Sequence, residues 1–219
     1  MKLKSVHYII MFTIAASFFV AVFFYPLLPD KIASHWGVYG QADGYASKAL
    51  GLFFPPILLI ILDAFFFLIP NIDPLKKNIQ SFREYFDHFI LLMNFFLFYL
   101  YSLTIFWNLG ARFNMLMFLM PAFAILFYYI GVMVGKAKRN YFIGIRTPWT
   151  LANDKVWEKT HKLGSVLFKL GALIFLVSVF FPLQGFVLLI SYMIALIFFL
   201  FIYSYLEFRK EEPNGKRAH

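Results

Sequence analysis

Residues 140–168 read NYFIGIRTPWTLANDKVWEKTHKLGSVLF, the longest polar interruption in an otherwise apolar chain of 219 residues. The segment holds Arg146, Trp149, Trp157 and His161, with two of the chain's four tryptophans. A tether needs only polarity and flexibility, whereas indole rings and guanidinium forks make defined contacts. The stretch therefore reads as a folded platform. Gly144 permits a tight turn, Pro148 presets the chain for one, and Asn153 or Asp154 can cap a helix that begins near Lys155 with the body VWEKTHKLGSVLF. On that helix Trp157, His161 and Gly164 or Ser165 share a face, and Glu158 and Lys162 form an i,i+4 pair. Two roles are open to that face. Trp149 and Trp157 can anchor at the lipid headgroup level with His161 filling space beside them, or the face can bind a ligand.

Outward from this stretch the composition excludes a soluble globular domain: 62% of residues are hydrophobic, 22% aromatic and 14% charged, with mean hydropathy +0.74. The 31 phenylalanines exceed what one soluble core needs and suit helices that meet lipid. Apolar runs long enough to cross a hydrocarbon layer of about 30 Å occur near 6–26, 49–69, 86–109, 115–135, 165–181 and 185–206. These predict an all-α integral membrane bundle of six transmembrane helices with a folded outer loop at 28–48 and a cytoplasmic loop-helix at 136–164. The expected domains are a three-span half at 1–109, a second half at 110–206 and a disordered basic tail at 207–219. The first run follows Lys2 and Lys4 but lacks small residues at a cleavage position, so it is read as a retained span. Of the 20 Lys and Arg, all but Lys31, Lys48 and Arg112 fall on one side of this topology. That bias puts both termini and the platform in the cytoplasm of a cell-membrane protein, facing anionic lipid rather than nucleic acid. The chain has no cysteine, which excludes disulfides and thiolate chemistry.

The outer loop, LPDKIASHWGVYGQADGYASK at 28–48, mixes turn formers with His35 and Trp36. Asp30, His35 and Asp43 have the atoms for a divalent cation, but their spacing matches no metal motif, and compact folding at the interface is the expected use. Asp63 lies mid-span, where a carboxylate faces the bundle interior, pairs or stays protonated; Asn94 or a tyrosine hydroxyl is the expected partner. Pro55 and Pro56 are expected to kink or break the same helix. Glu84, Asp87 and His88 read as an interfacial ion network with Arg83, because the His-Glu-x-x-His pattern is absent. No Gly-x-Ser-x-Gly, Walker-type or dinucleotide fingerprint is found. No cofactor or metal is expected.

The motifs Gly144-Ile145-Arg146-Thr147-Pro148-Trp149-Thr150, then Trp157 and Thr160-His161, resemble the signature of the SdpI family of bacterial and archaeal membrane proteins. The elements Leu28-Pro29-Asp30, His35-Trp36, Gly40, Asp43-Gly44 and Lys48 resemble the first-loop signature of the conserved domain that commonly precedes it. The resemblance implies protection against a secreted, membrane-active peptide toxin, with signalling to a cytosolic transcriptional repressor as a further expectation. In that reading His35, Trp36 and Tyr45 meet the toxin at the outer loop, which also holds Asp43, and Arg146, Trp149, Trp157 and His161 belong to the inner platform. The competing reading is an enzyme or transporter for a lipid-like or anionic substrate. There Arg146 would clamp a phosphate or carboxylate, His161 would act as acid or base, and Asn140 or Thr147 would donate further hydrogen bonds.

Overall fold

A computed structural model describes residues 3–211. In chain order its elements are α1 (Leu3–Phe24), β1 (Lys31–Trp36), β2 (Ala42–Ser47), α2 (Lys48–Ile72), α3 (Lys76–Ser81), α4 (Arg83–Asn108), α5 (Met115–Val134), α6 (Pro148–Ala152), α7 (Asp154–Ser178) and α8 (Pro182–Glu211). Six of these, α1, α2, α4, α5, α7 and α8, are long and apolar enough to cross a membrane. The chain is a multi-pass membrane bundle. Its outer surface is apolar, with Phe12 and Phe180 each about three-quarters exposed (74% and 77%), the reverse of a soluble protein and the arrangement lipid requires.

Without a hydrophobic drive between helices in lipid, close packing must hold the spans together. The tightest pair is α5 with α7. At Gly131 an added Cβ would lie 2.8 Å from the Ser165 carbonyl oxygen, so only glycine lets the two backbones approach this closely. Toward the hairpin end of that seam, Met120, Phe127, Ala172 and Phe175 close the core. A second core gathers Val6 and Ile10 of α1, Ile69 of α2, Phe86 and Ile90 of α4 and Trp157 of α7.

The α2 helix runs through Pro55, Pro56 and Pro70 unbroken, which corrects the expectation of a break. Pro56 has no N–H for the Leu52 carbonyl one turn back, and the Tyr101 hydroxyl of α4 donates to that carbonyl instead at 3.0 Å. A neighbouring helix thus satisfies the backbone group that proline frees.

The platform helix expected from near Lys155 begins at Asp154, capped by Asn153 through Lys155 N and Val156 N, and runs on without a break as the fifth span, α7. One more difference from the sequence reading concerns a helix end. The last span continues to Glu211, so residues 207–211, expected in a disordered tail, are helical. Glu207 and Glu211 each accept from Lys159 Nζ at 2.9 Å, which ties the end of α8 to α7. The rest of the expected tail, 212–219, lies outside the described residues.

Candidate functional site

Two built structures sit at opposite ends of the bundle. One is an antiparallel hairpin, β1 with β2, between α1 and α2. The other is the platform, which rests on the end of α2 through Asp73, whose Oδ2 accepts from Tyr141 N at 2.8 Å.

The hairpin pairs Lys31 with Ser47, Ile32 with Ala46, Ala33 with Tyr45, His35 with Gly44 and Trp36 with Ala42, leaving Ser34 outside the register. Its seat on the bundle is Asn108, at the end of α4. Asn108 Oδ1 accepts from Ala33 N at 2.7 Å and its Nδ2 donates to Ala33 O at 3.0 Å, so one side-chain amide pairs with the strand as a peptide group would. The tip is held by α5: Met115 N donates to Gly40 O at 3.1 Å and Asn114 Nδ2 to Tyr39 O at 3.2 Å. Trp36 packs edge-on against Trp107 with ring centroids 5.8 Å apart. On the outer face His35 Nδ1 meets Asp43 Oδ1 at 2.5 Å, both side chains exposed. Asp30 pairs with Lys48 at 2.9 Å. Asp30 is therefore engaged apart from the His35–Asp43 pair, and among the described residues no three His, Cys, Asp or Glu side chains gather as a metal group.

Replacing Asn108 by alanine leaves the N–H and C=O of the fully buried Ala33 without partners, each loss worth about 1–3 kcal/mol. The expected result is faster amide exchange across 31–47 with the spans still protected. Unchanged hairpin exchange would contradict this account of its anchorage.

The platform is organised by Asn140, which has no exposed surface. Its Oδ1 accepts from Phe142 N at 2.9 Å and Ile143 N at 2.6 Å, while Nδ2 donates to Lys138 O and Ile143 O. All of these partners lie in its own loop. Thr147 caps α6 in a reciprocal box with Thr150, and its Oγ1 donates to Ser204 Oγ of α8 at 2.9 Å. The role once open to Asn140 and Thr147, donating to a substrate, is thus taken up by the fold. Trp149 lies against Phe201 and Tyr205 of α8, with centroids at 4.8 and 5.0 Å.

Trp157 and His161 form the buried centre. Their rings stack at 3.9 Å with an interplanar angle of 16°. Trp157 Nε1 donates to Ala137 O at 2.8 Å. Ile145 N, which can only donate, points at His161 Nε2 at 3.0 Å, and Trp157 O, which can only accept, lies 2.8 Å from Nδ1. The imidazole is therefore neutral, with its proton on Nδ1. Trp157, only 2% exposed, is a core residue and not a headgroup anchor.

Beside this stack lies a cavity of about 520 Å³, bounded by the 135–139 loop, Asn78 of α3 and the first turns of α7. His161 and Trp157 form part of its wall, but Arg146, Trp149, Thr147 and Asn140 do not. Arg146 is exposed, and its Nη1 donates to Tyr141 O at 2.7 Å. The structure thus does not bring Arg146 and His161 to one ligand position. Sequence reading missed Lys136, Lys138 and Lys162 as cavity residues. The signal for Lys136 and Lys138 is the basic cluster that follows α5; Lys162, on α7, carries none of its own.

In the bundle interior, Asn94 Nδ2 donates to Asp63 Oδ1 at 2.7 Å and to Ile90 O at 3.1 Å. Asp63 Oδ2 and Asn94 Oδ1 have no hydrogen-bond partner among the described residues. At the start of α4, Arg83 Nε pairs with Asp87 Oδ1 at 2.6 Å, one turn apart.

Comparison with known proteins coincides with the two built ends. Residues 136–204 match the SdpI/YfhL protein family, a segment that holds the platform, α7 and most of α8. Residues 12–60 match a domain of unknown function, DUF1648, centred on the hairpin. The chain is 27% identical over 167 residues to "Immunity protein SdpI" of Bacillus subtilis (strain 168), covering 75% of this chain and 77% of that protein. No solved structure matches the chain.

Proposed function

We propose that this SdpI-like chain is a membrane immunity protein that protects its cell against a secreted, membrane-active peptide. The observation that carries the reading is the likeness to an immunity protein over three-quarters of the chain (75%). The basic residues support an orientation with the hairpin outside and both termini in the cytoplasm, since among the described residues Lys31, Lys48 and Arg112 alone fall at the hairpin end. In this reading the halves 1–109 and 110–206 divide the task. The hairpin presents His35, Asp43 and the exposed Tyr39 and Tyr45 to an amphipathic peptide at the membrane surface. The platform presents Arg146 and Tyr141 to a cytosolic repressor.

A catalytic reading has less support. Both polar atoms of the His161 ring are engaged by backbone groups, and Arg146 is held by a backbone carbonyl away from the cavity. An acid-base residue needs a free nitrogen within reach of a substrate.

The test is survival of a peptide-sensitive cell that expresses the chain, challenged with secreted membrane-active peptides. Wild type is expected to raise survival, His35→Ala with Tyr45→Ala to abolish the gain, and Arg146→Ala to preserve survival while losing any transcriptional response. No gain with any peptide would sink the proposal.

A further inference from the structure

We infer that the cavity beside the Trp157–His161 stack is a binding site for a phosphate group, carried by a lipid headgroup or free in solution. The inference goes beyond the immunity reading and does not depend on it. The charge inventory of the wall is the first ground. Arg139 Nε is paired with Asp154 Oδ1 at 2.7 Å and its Nη1 donates to Leu151 O, so these two charges answer each other. What remains is Lys136, Lys138 and Lys162 against Glu158 alone. Lys138 and Lys162 form no ion pair among the described residues, and Lys136 has only the Tyr85 ring, 5.8 Å from its Nζ. The wall therefore holds a surplus of two positive charges, enough for one phosphate group.

The second ground is shape. Polar groups converge on a concavity of about 520 Å³ whose floor is a rigid aromatic stack, so the ammonium groups are displayed around a fixed recess and not scattered over a convex surface. The three lysines themselves are exposed, so their attraction for an anion is screened by salt and should fall as ionic strength rises. The third ground is position. The rim includes Val166, about half exposed (52%), one turn beyond Lys162 on α7 and facing the apolar surface of the bundle. A headgroup in the recess could lay its acyl chains past Val166, whereas a free phosphate would make no use of that edge.

The experiment uses the full chain in neutral detergent. One arm mixes it with equal amounts of phosphatidylglycerol and phosphatidylcholine and reads retained lipid by native mass spectrometry; the other adds inorganic phosphate, with chloride at matched ionic strength as control, and reads the thermal midpoint. Preference for the anionic lipid is expected to be about tenfold, the effect of a single charge-assisted contact. The triple variant Lys136→Gln, Lys138→Gln, Lys162→Gln should lose it, the corresponding triple arginine variant should keep it, and Lys76→Gln with Lys77→Gln, outside the cavity, should leave it intact. Lipid preference without phosphate stabilisation identifies the headgroup as the source; phosphate stabilisation that the triple glutamine variant loses identifies free phosphate. Neither effect, or either one undiminished in the triple glutamine variant, overturns the inference.

Discussion

Replacement of Trp157 by alanine is expected to destabilise the folded protein by about 3–5 kcal/mol, the range for deleting a buried large aromatic. Three contacts are lost together. The indole packs in the core with Val6 and Ile10 of α1 and Phe86 of α4, so its removal opens a void where three spans meet the platform. Its Nε1 is the donor to Ala137 O, which then has no partner. Its face also fixes the His161 ring, and His161 in turn accepts the Ile145 N–H that holds the loop down. Trp157→Phe separates these terms in part, since a six-membered aromatic ring stays while the pyrrole ring and its donor go, for a loss of about 1–3 kcal/mol from the orphaned carbonyl and some further packing. Trp149→Ala supplies the contrast. That ring is half-buried against Phe201 and Tyr205, and its aromatic pairs are worth about 0.5–1.5 kcal/mol each. Unfolding in mixed micelles followed by circular dichroism measures all three. If Trp157→Ala lost no more than Trp149→Ala, Trp157 would be an interfacial anchor after all.

The six spans are legible because lipid imposes a length and a polarity that no tertiary detail can override. Their ends are less so. Hydropathy falls at Glu158, Lys159 and Lys162, so the apolar run of the fifth span starts only near 165, while the helix itself, expected from near Lys155, starts at Asp154. A helix satisfies its own backbone and can leave the bilayer without ending, so polarity marks the membrane boundary and not the helix boundary. The turn formers at 28–48 predict a compact loop, and KIASHW shows no two-residue alternation that would mark a strand. Its burial pattern exposes Lys31, buries Ile32 and Ala33, and exposes Ser34 and His35. The bulge at Ser34 and the Asn108 amide, 75 residues away, make it a strand.

The candidate site divides in the same way. Residue types identified the platform: Asn140, Gly144, Thr147, Trp157 and His161 all have defined structural tasks in it. What those types could not reveal is which atoms remain free. Both nitrogens of His161 and all the polar atoms of the Asn140 side chain are engaged locally, within sequence reach of 16 residues or fewer. The unpaired ammonium groups of the cavity lie instead on residues whose types looked ordinary, because a lysine's availability depends on whether a carboxylate from another element reaches it. Lys159 is reached by Glu207 and Glu211 of α8, while Lys162, one turn on, is not.

Gly144→Ala is expected to match the loss at Trp157 through a change of one carbon. Gly144 has φ +113°, a backbone conformation that L side chains rarely adopt, and holding a residue there costs about 1–3 kcal/mol. The new Cβ would also collide with His161 Nε2 and come within 3.4 Å of the Trp157 ring. The imidazole cannot retreat, because it is stacked on Trp157 on one side and tethered at both nitrogens. Strain and collision together should bring the loss to about 3 kcal/mol or more. A double-mutant cycle separates them. In a His161→Gly background the collision with the imidazole disappears while the φ strain stays, so Gly144→Ala should there cost about 1–3 kcal/mol less, the coupling expected of residues in direct contact. The same substitution at Gly110, whose φ of +105° is similarly strained but where a Cβ would meet nothing within 4 Å, should show the backbone strain alone. Equal losses at Gly144 and Gly110 would mean that the turn and not the packed imidazole fixes glycine at position 144. The Trp157–His161 stack would then lose its place as the element that locks the platform loop to α7.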